Sequence, residues 1–238
     1  MTKVVYWAPW GHPTSELAER FISYSDPVNV LQDLQSNINK ENKNDNFLNC
    51  PAFVNQYKNT FMFRSPTFAD IEIRGTEIIG NGGTTSKHLI TKQPSLLSAH
   101  TIKVYANWIF FCEEELHMES MHPFMHRTTA SNHGYYVPGG FDISQWFRPL
   151  EYAFQMFPNE TRFKINQDEP MIYVRFNTTD RIQFKKFKLT QELFDHSISC
   201  VRLKDFWHQR NLKKLYEMFN HSKIKKNILK EIKKNVME

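Results

Sequence analysis

Glycine is scarce in this chain, with 8 among 238 residues. Neither a G-x-x-x-x-G-K-[ST] nor a G-x-G-x-x-G string occurs, so the glycine-rich motifs that cradle nucleotide phosphates are excluded. Cysteine is scarcer still. Cys50, Cys112 and Cys200 are odd in number, far apart and without C-x-x-C spacing, and they read as buried thiols in a reducing compartment, not as a disulfide frame or a zinc knuckle. No apolar run approaches eighteen residues, so no transmembrane helix and no membrane partner is expected. The opening "MTKVVYWAPWGHP" contains no signal-peptide h-region, and the expected location is the cytosol or a particle assembled from it.

Aromatic residues are plentiful by contrast. They make up 14% of the chain, with 20 Phe, a composition that favours sheet packing over helical bundles. The length suffices for one domain with a substantial core. "KVVYWAPW" predicts a short strand broken at Pro9, and the Asp26-Pro27 turn precedes a helix near Leu31–Ile38. "NTFMFRSP" and "ADIEIRG" alternate with period two, Ile71 and Ile73 on one face and Glu72 and Arg74 on the other. "TIKVYANWIFF" predicts one strand from Thr101 to Phe111, and its apolar density implies burial on both faces. "RFKINQDEPMIYVRF" predicts a hairpin about a Gln-Asp-Glu-Pro turn, and "RIQFKKFKL" a further strand. The asparagine-rich "NKENKNDN" near 39–46 predicts an exposed loop, and "GNGGTTSK" a turn that lacks the strand-to-helix context of a phosphate loop.

The charge is uneven. The net charge is +5, yet from Arg202 onward eleven Lys or Arg face four acids, which leaves the preceding part slightly acidic. Leu212, Leu215 and Phe219, then Ile224, Ile228 and Ile232, show helical spacing. They predict two helices, the second capped by Ser222, each laying an apolar stripe on the core or on a neighbouring subunit. Outward lysines on such helices suit phosphate contacts, the alternative being a solvated amphipathic surface diluted by Glu217 and Glu231.

The stretch Leu116–His133, "LHMESMHPFMHRTTASNH", carries four of the ten histidines. If a strand continues there, His117 and Glu119 share a face. With a distant His196 they match the 2-His-1-carboxylate pattern that holds iron in oxygenases, and Arg202 would then anchor an anionic substrate. Iron or zinc would be the cofactor of that alternative; on the leading reading none is expected. His122 and His126 are a poor helical pair because Pro123 separates them. The competing reading is a histidine-containing loop whose side chains are hydrogen-bonded or solvated. Glu113, Glu114 and Glu115 read as a charged strand edge. A paired-carboxylate hydrolase needs two such groups brought together by folding.

"GYYVPGGFDISQWFRPLEYAF" offers a tight turn followed by Asp142, Trp146 and Arg148. These three residues are the candidate ligand-binding set for an anionic ligand, against the alternative of an internal Asp142–Arg148 salt bridge. The run from "VPGGFDISQWFRPLEYAFQM" through "DEPMIYVRF" to "ILKEIKKNV" resembles uncharacterised proteins encoded by marine tailed phages. More locally, from Gly134 to Phe176, the order of turn, Gly, Asp and "DEP" turn is similar to β-clip proteins of the deoxyuridine triphosphatase type. The first resemblance implies a binding, assembly or host-interaction protein in the host cytoplasm or virion, with a protein partner or a second copy. The second implies nucleotide binding, without any matched catalytic residue. The expected fold is mainly β: a sandwich or barrel-like core over 1–200, β-clip or jelly-roll-like, with a basic helical appendage over 201–238.

Overall fold

Period-two alternation of apolar residues builds fifteen strands in a computed structural model of the chain, which describes residues 1–11, 23–37, 47–75, 77–80, 90–93, 99–104, 107–207 and 212–237. The expected polar loop near 39–46 and most of "GNGGTTSK" lie outside the described residues. The first sheet joins β1 (Thr2–Trp10), β8 (Asn107–Cys112) and β15 (Arg181–Lys186) in the order β15-β1-β8. The second contains β2 (Val28–Asn29), β3 (Thr60–Arg64), β9 (His117–Met121), β11 (Gly139–Asp142) and β14 (Pro170–Phe176), in the order β11-β9-β14-β3-β2. The third contains β6 (Ile90–Gln93), β7 (Thr101–Val104), β10 (Gly134–Tyr136) and β12 (Tyr152–Met156), and the fourth β4 (Ala69–Arg74), β5 (Glu77–Gly80) and β13 (Arg162–Ile165). All the pairings are antiparallel except β1 with β15. The result is sandwich-like, and no sheet closes into a barrel among the described residues.

Side chains alternate between two cores across the first sheet. Val5, Trp7, Trp108, Phe110 and Cys112 point into a large core shared with Phe63 and Val174 of the second sheet, Ile102 and Phe154 of the third, and Ile71 and Phe163 of the fourth. The Phe63 ring meets Trp108 and Phe110 edge-on at 5.3 and 5.2 Å, the geometry that aromatic quadrupoles favour. The neighbours Tyr6, Ala8, Ile109 and Phe111 point the other way, into a second core. Its far side is helical: Leu193 and Cys200 of α3 (Gln191–Trp207), Leu215 and Phe219 of α4 (Leu212–His221), and Ile228 and Ile232 of α5 (Lys223–Lys234).

Several sequence expectations change in the folded chain. "RFKINQDEPMIYVRF" is no hairpin: β13 pairs with β4, whereas β14 pairs with β3 and β9. Residues 60–74 and 162–176 form one bent antiparallel ribbon that crosses from the second sheet to the fourth, held at the bend by Ser65 N–H to Glu169 O and Asp168 N–H to Ser65 O. Alternation defines a strand but not its partner. "TIKVYANWIFF" likewise divides into β7 and β8, in different sheets. β1 continues through Pro9, because β15 pairs only as far as Trp7 and Pro9 has a single neighbour strand, a position that tolerates a missing N–H. Of the three thiols Cys112 and Cys200 are buried, but Cys50 is exposed.

The C-terminal region has three helices, and the expected division at residue 200 falls inside α3. Ser222 occupies an N-cap conformation, but its hydroxyl donates back to Phe219 O at 2.7 Å and caps nothing in α5. Thr190 does cap α3, accepting the Leu193 N–H. Beyond α5 the chain adds a short antiparallel pairing to the segment after β15, with Val236 opposite Phe187. The helices therefore share a core with the sheet. Ile228→Ala and Phe154→Ala, one in each core, should each lower the unfolding free energy by about 2–5 kcal/mol. Both should leave a single urea transition, by tryptophan fluorescence and by circular dichroism; two separated transitions would show that the helices fold independently.

Candidate functional site

The histidine-rich stretch begins on a strand and ends in a loop. On β9 the side chains of Met118 and Ser120 are buried, while His117 and Glu119 lie on the outer face, as their spacing predicts. Past Met121 the chain turns over the edge of the sheet and its histidines become crosslinks. His122 Nδ1 accepts the Tyr136 N–H at 3.3 Å and its Nε2 lies 3.2 Å from Ser131 Oγ, which assigns the ring proton to Nε2. Burial pushes the His122 pKa down. His126 joins Tyr173 OH through Nδ1 and Asp33 Oδ2 through Nε2, the latter at 2.9 Å. Asp33 is on α1 (Val30–Asn37), which Asn29 caps, and Arg64 approaches its other oxygen at 3.5 Å. His133 Nδ1 lies 3.4 Å from Glu160 Oε2.

Glu169 anchors the same loop from below. It accepts the N–H and hydroxyl of Thr129 and the N–H and side-chain amide of Asn166. Burial raises its pKa, but these four donors outweigh burial and hold the carboxyl below its usual range. The loop is therefore fixed to α1, to β14 and to the bend of the long ribbon.

The iron triad of the alternative reading is not assembled. Glu119 is taken by Arg175, whose Nε and Nη2 both donate to Glu119 Oε2. His196 is on α3, where its nearest carboxylate is Glu192 of the same helix at 3.9 Å, and Arg202 is exposed on that helix. Among the described residues no three His, Cys, Asp or Glu side chains are placed to share a metal ion.

The second expected set also separates. Asp142 organises its own turn, accepting the Ser144 N–H at 2.7 Å and the Gln145 amide at 3.0 Å. Trp146 is buried among the helices, its ring 5.3 Å from Phe219. Arg148 forms no salt bridge to Asp142. Its guanidinium stacks 4.0 Å above the Phe141 ring, and burial pushes its pKa down.

The arrangement with the most open chemistry is the outer face of the second sheet. Val30 and Leu34 of α1, together with Met125, cover this face over Met62 and Tyr173. The rest is left uncovered and polar. A groove of about 770 Å³ is lined by Asn55, Gln56, Lys58, Asn59, Arg175, Phe176, Asn177, Thr178 and Thr179. Asn55 and Gln56 come from α2 (Pro51–Tyr57) and Lys58 follows it. A shallower hollow of about 310 Å³ next to it is lined by His117, Glu119 and Gly140 among others. The Arg175–Glu119 pair connects the two, one partner in each. Among the described residues Arg175 Nη1 and Glu119 Oε1 have no hydrogen-bond partner. Gly140 is required where it stands: a Cβ there would lie 2.8 Å from Met118 O and 2.9 Å from His117 Nε2.

Sequence reasoning found His117 and Glu119 but missed Arg175, Lys58 and the amides. Arg175 had one signal, a lone charge inside the apolar "MIYVRF". Comparisons with protein-family models, with curated proteins and with solved structures returned no match.

The loop's crosslinks predict how stability responds to acid. Neutral His122 accepts the Tyr136 N–H, and a proton on Nδ1 would set two donors face to face. With its folded pKa below 6.5, His122 contributes stability that is complete above that value and declines as pH falls below it. Wild-type protein should lose stability between pH 7.5 and 5.5 in urea titrations, and His122→Gln should flatten the slope. Further down, Glu169 withdraws its share as pH falls from about 4.5 through its lowered folded pKa.

Proposed function

We propose that this protein is a non-enzymatic binding module whose outer sheet face holds an anionic, hydrogen-bond-rich ligand. One observation carries the reading. The groove of about 770 Å³ falls in the size range of ligand sites but departs from their usual apolar lining, offering amides, hydroxyls and the cations Lys58 and Arg175. Such a lining rewards a ligand that presents both carboxylates and hydrogen-bonding groups. The groups are suited to holding a ligand and not to activating one. Glu119 is occupied by Arg175, and no groove hydroxyl is hydrogen-bonded to a basic side chain among the described residues. An acidic segment of a partner protein, or of a second copy, is the form this ligand takes in an assembly or host-interaction role. That role accords with the resemblance to tailed-phage proteins and with a place in the host cytoplasm or virion.

Thermal shift against short acidic peptides and dicarboxylates, with their uncharged amides as controls, tests the proposal. A ligand at about 100 times its Kd stabilises by about 2.7 kcal/mol, which for a chain of this size raises Tm by roughly 5–10 °C. The acidic ligands should produce this shift and the amides should not. The exposed substitutions Gln56→Ala and Lys58→Ala should reduce it without altering the ligand-free Tm. An identical shift in the variants would remove the groove from the argument.

A further inference from the structure

The C-terminal helix α5 is amphipathic: its apolar side enters the core, and on one flank Lys233 pairs with Glu113 at 2.8 Å. Ile228 and Ile232 are completely buried against the first sheet, and Lys225 turns partly inward to Asn220 Oδ1 at 3.0 Å. The opposite side carries Lys223, Lys226, Asn227, Lys230 and Lys234, all exposed. At 100° per residue these five positions fall within about one third of the helix circumference. That arc contains no acidic residue. Glu231 is on the flank, engaged by Asn235 and 3.9 Å from Lys234. Lys223, Lys226 and Lys230 have no ion-pair partner among the described residues.

The tertiary structure extends this basic stripe beyond the helix. Lys188 donates its backbone N–H to Asn235 O at 2.9 Å, which brings its exposed side chain to the C-terminal end of α5. An exposed lysine some forty positions earlier in the chain thus adds its charge beside the C-terminal end of the helix. From Lys223 to Lys234 the row is about 17 Å long, a length along which one strand of a duplex presents about five phosphates.

We infer that the exposed face of α5, with Lys188, docks on the phosphate backbone of double-stranded nucleic acid. The charge complementarity is direct: a row of exposed ammonium groups, with Lys223, Lys226 and Lys230 outside any ion pair among the described residues, meets a polyanion, and binding gains from counterion release. The face bears no aromatic side chain, so it grips the backbone without stacking on bases and reads no sequence. A lipid surface fits less well. Interfacial helices insert an apolar face, whereas the apolar face of α5 is consumed by the core, leaving only the scattered Met218, Ile224 and Met237 exposed nearby among the described residues. This surface is built from different residues than the groove, so either proposal stands without the other.

The test is fluorescence polarisation of a labelled 20-base-pair duplex with the full chain between 50 and 200 mM salt. The observed affinity should fall with a log–log slope of about −4, a loss of roughly two orders of magnitude over that range. Lys223→Gln/Lys226→Gln/Lys230→Gln should flatten the slope by about 3, each lysine contributing about 1. A charge-matched control, Arg74→Gln/Arg127→Gln/Lys164→Gln, should leave it within one unit of wild type. If the triple variant fails to fold, Lys226→Gln alone should still change the slope by about 1. The inference is overturned by any of three results: no duplex binding at 50 mM salt, an unchanged slope in the α5 variant, or phosphatidylserine vesicles bound more tightly than duplex.

Discussion

In the three-stranded sheet of β1, β8 and β15, Val5–Ala8 of β1 and Trp108–Cys112 of β8 are buried on both faces, and the rest of the molecule depends on that burial. Strand side chains alternate, so the doubly buried stretches of β1 and β8 must be apolar at consecutive positions to serve two cores. "VVYW" and "WIFFC" satisfy this: Val5 and Trp7 pack with the other three sheets, while Tyr6 and Phe111 pack with the helices. Neither core is complete alone. The sheets without the first would expose Phe63 and Phe154, and the helices without it would expose Ile228 and Phe219.

A second constraint acts on the opposite side of the large core. The ribbon formed by 60–74 and 162–176 bends between two sheets, and the bend would strand backbone and side-chain polar groups unless partners were supplied. Glu169 supplies them, drawing Thr129 and Asn166 onto one carboxylate. Asp33, His126 and Tyr173 then pin α1 over half of the outer sheet face. What these crosslinks leave uncovered becomes the polar groove. The site is therefore the remainder of the packing, bounded by groups whose own role is structural.

The sequence could be read correctly wherever a local period determined the outcome. The strands at "ADIEIRG" and "RIQFKKFKL", the basic amphipathic tail and the shared face of His117 and Glu119 follow from spacing alone, and the helix expected near Leu31–Ile38 after the Asp26-Pro27 turn forms over Val30–Asn37. It failed wherever a partner was needed. Asp142 and Arg148 are six residues apart and opposite in charge, yet one organises a turn through Ser144 and Gln145 and the other stacks on Phe141. Glu119 found Arg175, 56 residues away. No local pattern ranks such distant pairs.

The sequence by itself determined a mainly β chain with amphipathic helices at its end, because periods of two and of 3.6 residues dictate which side chains share a face. It also determined that α5 would carry its lysines together. Only the tertiary structure decided that "RFKI" and "MIYVRF" part into different sheets, that the histidines crosslink a loop and do not gather, and that Lys188 joins the lysines of α5. Those outcomes depend on contacts between residues far apart in the chain. Such contacts are chosen by how several apolar faces can be buried at once, a condition that no single segment contains.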